Sequence, residues 1–80
     1  MAPHSFTAYF ERQVLAKRPY LTREMCIYVI EHPMRIEVQE DDRVRFWAII
    51  DLLDGRLLRV VTLSDRKTIH NAFLDRGFTP

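Results

Sequence analysis

Cysteine and glycine are scarce in this chain of 80 residues, and each shortage excludes a class of site. The single cysteine, Cys26, cannot form a disulfide within the chain, which is typical of proteins kept in a reducing compartment. Two glycines are too few for a glycine-rich loop that binds phosphate. The three histidines, His4, His32 and His70, lack the spacing of zinc ligands. We therefore expect no metal and no cofactor.

Long hydrophobic runs are also missing from the sequence. No apolar stretch approaches the roughly 20 residues that span a bilayer. The first residues, MAPHSF, lack the basic patch and the apolar run of a signal peptide. The sequence therefore predicts a cytoplasmic protein with no membrane partner.

Charge is nearly balanced over the whole chain, at +1, but it is unevenly distributed. Residues 31–54 contain seven acids and three arginines, a net charge of −4, whereas residues 55–80 carry +3 and residues 1–20 carry +2. If the two positive ends meet in space, they form a surface that attracts polyanions. The alternative is a set of solvated charges scattered over a small domain.

Two helices are predicted ahead of any strand, at about residues 6–17 and 23–31. In both segments the apolar residues recur at spacings of three and four, and a proline follows each segment. Ser5 and Thr22 are the predicted N-caps, because their hydroxyl groups can accept a hydrogen bond from the first helical turn.

Four strands are predicted next, at about residues 34–39, 43–53, 56–64 and 68–74. Short polar turns join them, so the strands should pair with their neighbours as an antiparallel meander. Because the helices precede the sheet and cannot alternate with it, they must cover one of its faces. We expect a single α+β domain over residues 1–80, with two helices on a four-stranded antiparallel sheet.

The central hairpin, RVRFWAIIDLLDGRLLRVVTLS, determines which side chains share a face. Asp54-Gly55 is typical of a two-residue type I′ turn, which would place Ile50 opposite Arg59. In that register the face that carries Trp47 is only half apolar.

A group of polar side chains near the C-terminal end contains the candidate catalytic residues, His70, Arg59 and Arg76. Cleavage of RNA without a metal needs a base for the 2′-hydroxyl, an acid for the leaving oxygen and cations for the phosphorane. Histidine titrates near neutrality, and arginine presents a planar fork to phosphate oxygens. The alternative is that His70 has a structural role in its strand. Three further cations are candidates for binding nucleic acid: Arg45, Arg66 and Lys67.

Trp47 has two interpretations on its predicted face. An aromatic side chain beside a cation can stack on a base of single-stranded nucleic acid. Its aliphatic neighbours instead favour an apolar patch that packs against another chain or against the C-terminal tail. The residues predicted for that interface are Trp47, Ile49, Leu58 and Val60.

The pattern and order of the predicted elements resemble those of a known superfamily in three segments: YLTREMCIYVIEHP, RVRFWAIIDLLDGRLLRVVTLSD and TIHNAFLDR. The chain resembles the RelE/ParE/BrnT-like superfamily of small bacterial toxins and related small domains. The resemblance implies a ribonuclease or a gyrase poison that an antitoxin partner neutralises. It also implies that Arg59 and Arg76 act on phosphate and that His70 is the acid or base.

Two hypotheses follow from the sequence. In the first, the chain is a toxin-like domain that cleaves or binds RNA through His70, Arg59 and Arg76. In the second, it is a non-catalytic module that forms a homo-oligomer or binds a partner through the face around Trp47.

Overall fold

A computed structural model describes residues 4–76, in which two short helical segments pack on one face of a five-stranded sheet. The helical segments are α1, with a π-helical turn over Phe10–Val14 that continues as α-helix over Leu15–Lys17, and α2, Arg23–Glu31. The strands are β1 (Ser5–Phe6), β2 (Arg35–Val38), β3 (Val44–Ile50), β4 (Arg56–Thr62) and β5 (Thr68–Leu74). The sheet order is β1-β5-β4-β3-β2. The α+β class is confirmed.

The sheet is mixed, however, because β1 runs parallel to β5 while the other neighbours are antiparallel. The prediction of four strands and of a first helix that begins at residue 6 is therefore wrong. Ser5 and Thr7 instead donate their N–H groups to the carbonyls of Lys67 and Ile69, each at 3.0 Å. The edge of β5 thus supplies hydrogen-bond acceptors to the N–H groups of Ser5 and Thr7, which in a helix beginning at residue 6 would need other partners.

Each helical segment has a threonine at its start. The Oγ1 of Thr7, and not that of Ser5 as predicted, accepts a hydrogen bond from the Phe10 N–H at 3.1 Å. Thr22 caps α2 as predicted, accepting from the Met25 N–H at 3.1 Å. In both cases the hydroxyl satisfies an N–H that has no partner within the helix.

The connection between β3 and β4 is longer than the predicted two-residue turn. Asp54 and Gly55 do adopt positive φ, at 58° and 70°, but a 3-10 turn over Asp51–Leu53 precedes them. The Gly55 N–H donates to the carbonyl of Ile50 at 3.1 Å, which closes a five-residue loop. Ile50 therefore lies opposite Arg56 and not opposite Arg59.

This shift of three residues moves every side chain of β4 to the opposite face, because side chains alternate along a strand. Leu58 and Val60 enter the core, and Arg59 lies opposite Trp47 on the other face. β5 has a bulge opposite the step from Val61 to Thr62 of β4. The extra residue changes which side chains of β5 point into the core. It allows Ile69 and Ala72, three positions apart, both to be fully buried.

The core lies between the helices and one sheet face. It is formed by one cluster of buried side chains from both layers: Phe10, Val14, Leu21, Cys26, Val29, Val44, Phe46, Ala48, Ile50, Leu58, Val60, Ile69 and Ala72. Burying apolar surface of this kind contributes about 25 cal/mol per Å². The opposite face of the sheet, here called the open face, carries Arg45, Trp47, Arg59, Val61, Asn71 and Phe73.

Candidate nucleic-acid interface

A groove of about 310 Å³ lies on the open face, near the turns that join β2 to β3 and β4 to β5. We call it the open-face groove. Its lining combines cations, aromatic rings and amides: Tyr9, Gln39, Asp41, Arg43, Arg45, Arg59, Val61, His70, Asn71 and Phe73. Three arginines and one carboxylate contribute to this lining, and the carboxylates of Glu37 and Asp75 border it through their contacts with Arg45 and Arg59.

Arg59 is held at the centre of the open face by aromatic and acidic neighbours. Its guanidinium lies over the Phe73 ring, 4.2 Å from the centroid, and 5.9 Å from the centroid of Trp47. Its Nε is 3.5 Å from Oδ2 of Asp75, and the same oxygen accepts a hydrogen bond of 2.9 Å from Trp47 Nε1. These contacts orient the guanidinium in advance, which lowers the entropic cost of binding an anion.

Two further arginines also lie over the rings of Phe73 and Trp47. Arg18, just after α1, lies 5.9 Å from the Phe73 centroid, and Arg35 of β2 lies 5.7 Å from the Trp47 centroid. Arginine stacked on an aromatic face keeps its N–H groups at the edges of the stack, where they can still donate.

The other two arginines of the groove have exposed acidic partners. Arg45 donates from Nη1 to Oε1 of Glu37 at 3.2 Å, and Arg43 Nε is 3.9 Å from Oδ2 of Asp41. Solvent-exposed ion pairs of this type contribute only about 0–1 kcal/mol. A phosphate can therefore replace these carboxylates at little cost.

His70 is fixed at one side of the groove by the segment that leads from β1 into α1. Its Nδ1 is 3.1 Å from Oγ1 of Thr7, and its ring stacks on Tyr9 with centroids 4.9 Å apart. Burial lowers the pKa of His70 below its usual value, and the nearby charge of Arg43 lowers it further. The imidazole is therefore neutral at pH 7, and one of its nitrogens is free to accept a proton.

The tautomer of His70 determines which nitrogen that is. A hydroxyl oxygen has two acceptor sites, so Thr7 Oγ1 can accept from both the Phe10 N–H and a protonated Nδ1 of His70. In this tautomer Nε2 is the proton acceptor. Within residues 4–76, no three His, Cys, Asp or Glu side chains are grouped to hold a metal ion.

The predicted site residues are only partly brought together. His70, Arg59 and Arg45 all line the open-face groove, as the sequence could not have shown. Arg76 does not line it; it borders a separate depression at the other end of β4, with Gly55 and Leu57. Arg66 and Lys67 lie in the turn between β4 and β5, at the same end of the sheet as the groove but outside its lining.

The four residues predicted for one interface are on two different faces. Leu58 and Val60 are fully buried beneath the helices, so grouping them with Trp47 was wrong. Trp47 is on the open face but is only 4% exposed, because Arg59, Arg35 and Asp75 surround it. Neither stacking on a base nor contact with another chain is open to Trp47 in this arrangement.

Sequence reasoning missed three residues that shape the groove. Arg43 could have been found, because Arg43, Arg45 and Trp47 alternate and alternating side chains share a face. Thr7 and Tyr9 gave no such signal. They reach His70 across 63 and 61 positions, through the unpredicted pairing of β1 with β5.

Comparisons with protein-family models, with curated proteins and with solved structures gave no match. Across residues 4–76, neither helix has the length and apolar character needed to cross a membrane.

Proposed function

We propose that the open-face groove binds single-stranded RNA and that the chain is a toxin-like RNA-binding domain of the RelE/ParE/BrnT type. The observation that carries the proposal is the convergence of Arg43, Arg45 and Arg59 with His70 in one groove. Arginine-rich surfaces release counterions when phosphates bind, which supplies a large part of nucleic-acid affinity.

Single-stranded RNA fits this groove better than a duplex does. The cations are spread across one concave surface of the sheet, and Tyr9 presents an exposed ring (46% exposed) at its margin. A splayed base can stack on such a ring while its phosphate contacts Arg43 or Arg45. An acidic segment of an antitoxin would compete for the same arginines, as the toxin-like resemblance implies.

His70 supplies a route to cleavage within the same site. Its Nε2 would take the proton of a 2′-hydroxyl, whose oxygen attacks the adjacent phosphorus to form a 2′,3′-cyclic phosphate. The 5′-oxygen leaves and takes a proton from water, while Arg59 stabilises the charge on the phosphorane. No metal takes part in this scheme.

Binding is tested with a fluorescently labelled single-stranded RNA, followed by anisotropy over a range of salt concentrations. Arg43→Gln should weaken binding at low salt and reduce the slope of log K against log salt by about 0.7, the value for one phosphate contact on a single strand. Arg56→Gln is the matched control, because Arg56 lies at the far end of β4, outside the groove. Equal effects of the two substitutions would contradict the proposal.

Cleavage is tested separately with the same RNA on denaturing gels. Wild type should give fragments that end in a 2′,3′-cyclic phosphate, and His70→Gln should abolish them while RNA binding is retained. If wild type binds RNA and leaves it intact, His70 has a structural role and the proposal is reduced to RNA binding.

A further inference from the structure

The edge strand β2 has an unusual combination of exposure and pattern. It pairs only with β3 and forms one edge of the sheet. The apolar side chains of the strand and of the residue before it are largely exposed: Met34 by 50%, Ile36 by 45% and Val38 by 56%. Edge strands normally avoid such side chains, because an exposed apolar edge invites pairing with another chain.

The backbone of this edge has a definite register for a new partner. The Gln39 N–H donates to the Arg43 carbonyl at 2.7 Å, so Gln39 directs its backbone groups toward β3. In an antiparallel ladder residues alternate, and Ile36 and Val38 therefore direct their N–H and C=O groups away from β3. The Met34 N–H donates to the Trp47 carbonyl of β3 at 2.8 Å, so the outward N–H groups that an added strand can use are those of Ile36 and Val38.

We propose that this edge pairs with the same edge of a second copy of the chain, antiparallel and centred on Ile36. In that register Ile36 lies opposite Ile36 of the second copy, and Met34 lies opposite Val38 of the second copy. Arg35 then lies opposite Glu37 of the second copy, and the two-fold axis repeats that ion pair. The segment MRIEV is therefore complementary to itself in both charge and hydrophobicity.

The neighbouring registers lack this complementarity. Moving the axis by one position, to Glu37, places two carboxylates opposite each other, and moving it to Arg35 does the same with two guanidinium groups. Like charges directly opposite each other destabilise a strand pair, whereas opposite charges stabilise it. The charge pattern thus favours the register centred on Ile36 over its two neighbours and matches this edge to a second copy of the chain.

Formation of the pair would replace the contact between Arg35 and Glu37 within one chain by contacts between these side chains across the two-fold axis. Arg35 and Glu37 of one chain are 3.5 Å apart and are both more than 40% exposed, so their mutual ion pair is weak. Because the axis is perpendicular to the sheet, the open faces of both copies are on the same side of a ten-stranded sheet. The pairing does not depend on the proposed RNA binding.

Sedimentation equilibrium with charge reversals tests the proposal. Wild type should dimerise as its concentration rises to about 1 mM, a range that includes weak association. Arg35→Glu alone and Glu37→Arg alone should each be monomeric, because each creates like-charge pairs across the axis. An equimolar mixture of the two variants should form a heterodimer, since each Glu then lies opposite an Arg.

Two further variants separate this result from a folding defect. Arg56→Glu makes the same charge change away from β2 and should dimerise like wild type. Ile36→Pro removes one outward N–H without breaking a hydrogen bond to β3, so it should remain folded by circular dichroism and be monomeric. A monomeric wild type, dimeric single variants or a monomeric mixture of folded variants would each overturn the proposal.

Discussion

Asp75 holds the open face together, and its removal should destabilise the whole domain. Its Oδ2 accepts the Trp47 Nε1–H at 2.9 Å and lies 3.5 Å from Arg59 Nε, while its own side chain is only 16% exposed. A hydrogen bond to a charged group contributes about 1.5–3 kcal/mol. Adding the shielded ion pair, we expect Asp75→Ala to lower the free energy of unfolding by about 3 kcal/mol.

That loss is large for a domain of this size. Each kcal/mol lost from the free energy of unfolding lowers the thermal midpoint of a 60–100-residue domain by about 4–8 °C. The melting temperature should therefore fall by about 12–24 °C. The assays are urea unfolding, which gives the free energy, and thermal unfolding, which gives the melting temperature, both followed by fluorescence of Trp47, the single tryptophan. Asp75→Asn keeps a neutral acceptor and should have an intermediate effect.

Asp51→Ala is the matched control for this measurement. It also removes one negative charge, but from an exposed residue at the start of the 3-10 turn, so the change should stay within about 0.5 kcal/mol. If Asp75→Ala costs no more than Asp51→Ala, the carboxylate does not organise Arg59 and Trp47, and the description of the open face is wrong.

Two other predictions concern titratable groups. Burial, helped by the charge of Glu24, raises the pKa of the Cys26 thiol to about 12. A thiol reagent at pH 8 should therefore label Cys26 only as fast as the protein opens. Rapid labelling of the folded protein would contradict the burial of this thiol. Burial and Arg43 lower the pKa of His70 from 6.5, so the unfolded state binds the proton more readily. Stability from this group should be complete above about pH 6.5 and should decline as the pH falls toward the lower folded pKa. His70→Gln should remove that decline, and an NMR midpoint at or above 6.5 for His70 would refute the argument.

The parts of the fold that local patterns determine were predictable from the sequence. The helix over Arg23–Glu31 has the predicted bounds because a cap and a proline define it, and the strand over Thr68–Leu74 has them because a polar turn precedes it. These signals act between residues that are close in sequence.

The errors in the prediction arose in the loop between β3 and β4 and where distant parts of the chain pair with each other. The hairpin register depended on a 3-10 turn over Asp51–Leu53, whereas Asp54-Gly55 favoured a shorter loop. An error of three residues reversed the faces of Leu58, Arg59 and Val60, since the period of a strand is two. The strand over Ser5–Phe6 exists only because the edge of β5 is available to it.

The candidate site was predictable in composition but not in arrangement. His70 and Arg59 were identified from their chemistry, and the correct register now places both in the open-face groove. Arg76 was identified for the same reason but lies at the other end of the sheet. The interface predicted around Trp47 is wrong because Leu58 and Val60 lie in the core, and the interface that we propose lies at the β2 edge instead.

An NMR titration with unlabelled single-stranded RNA tests the central claim most directly. Backbone amide shifts of the ¹⁵N-labelled protein would be followed as a short oligonucleotide is added. We predict that the largest changes lie at Arg43, Arg45, His70 and Asn71, which border the open-face groove. Changes confined to the region around Arg76, or no changes at all, would show that this groove is not an RNA-binding site.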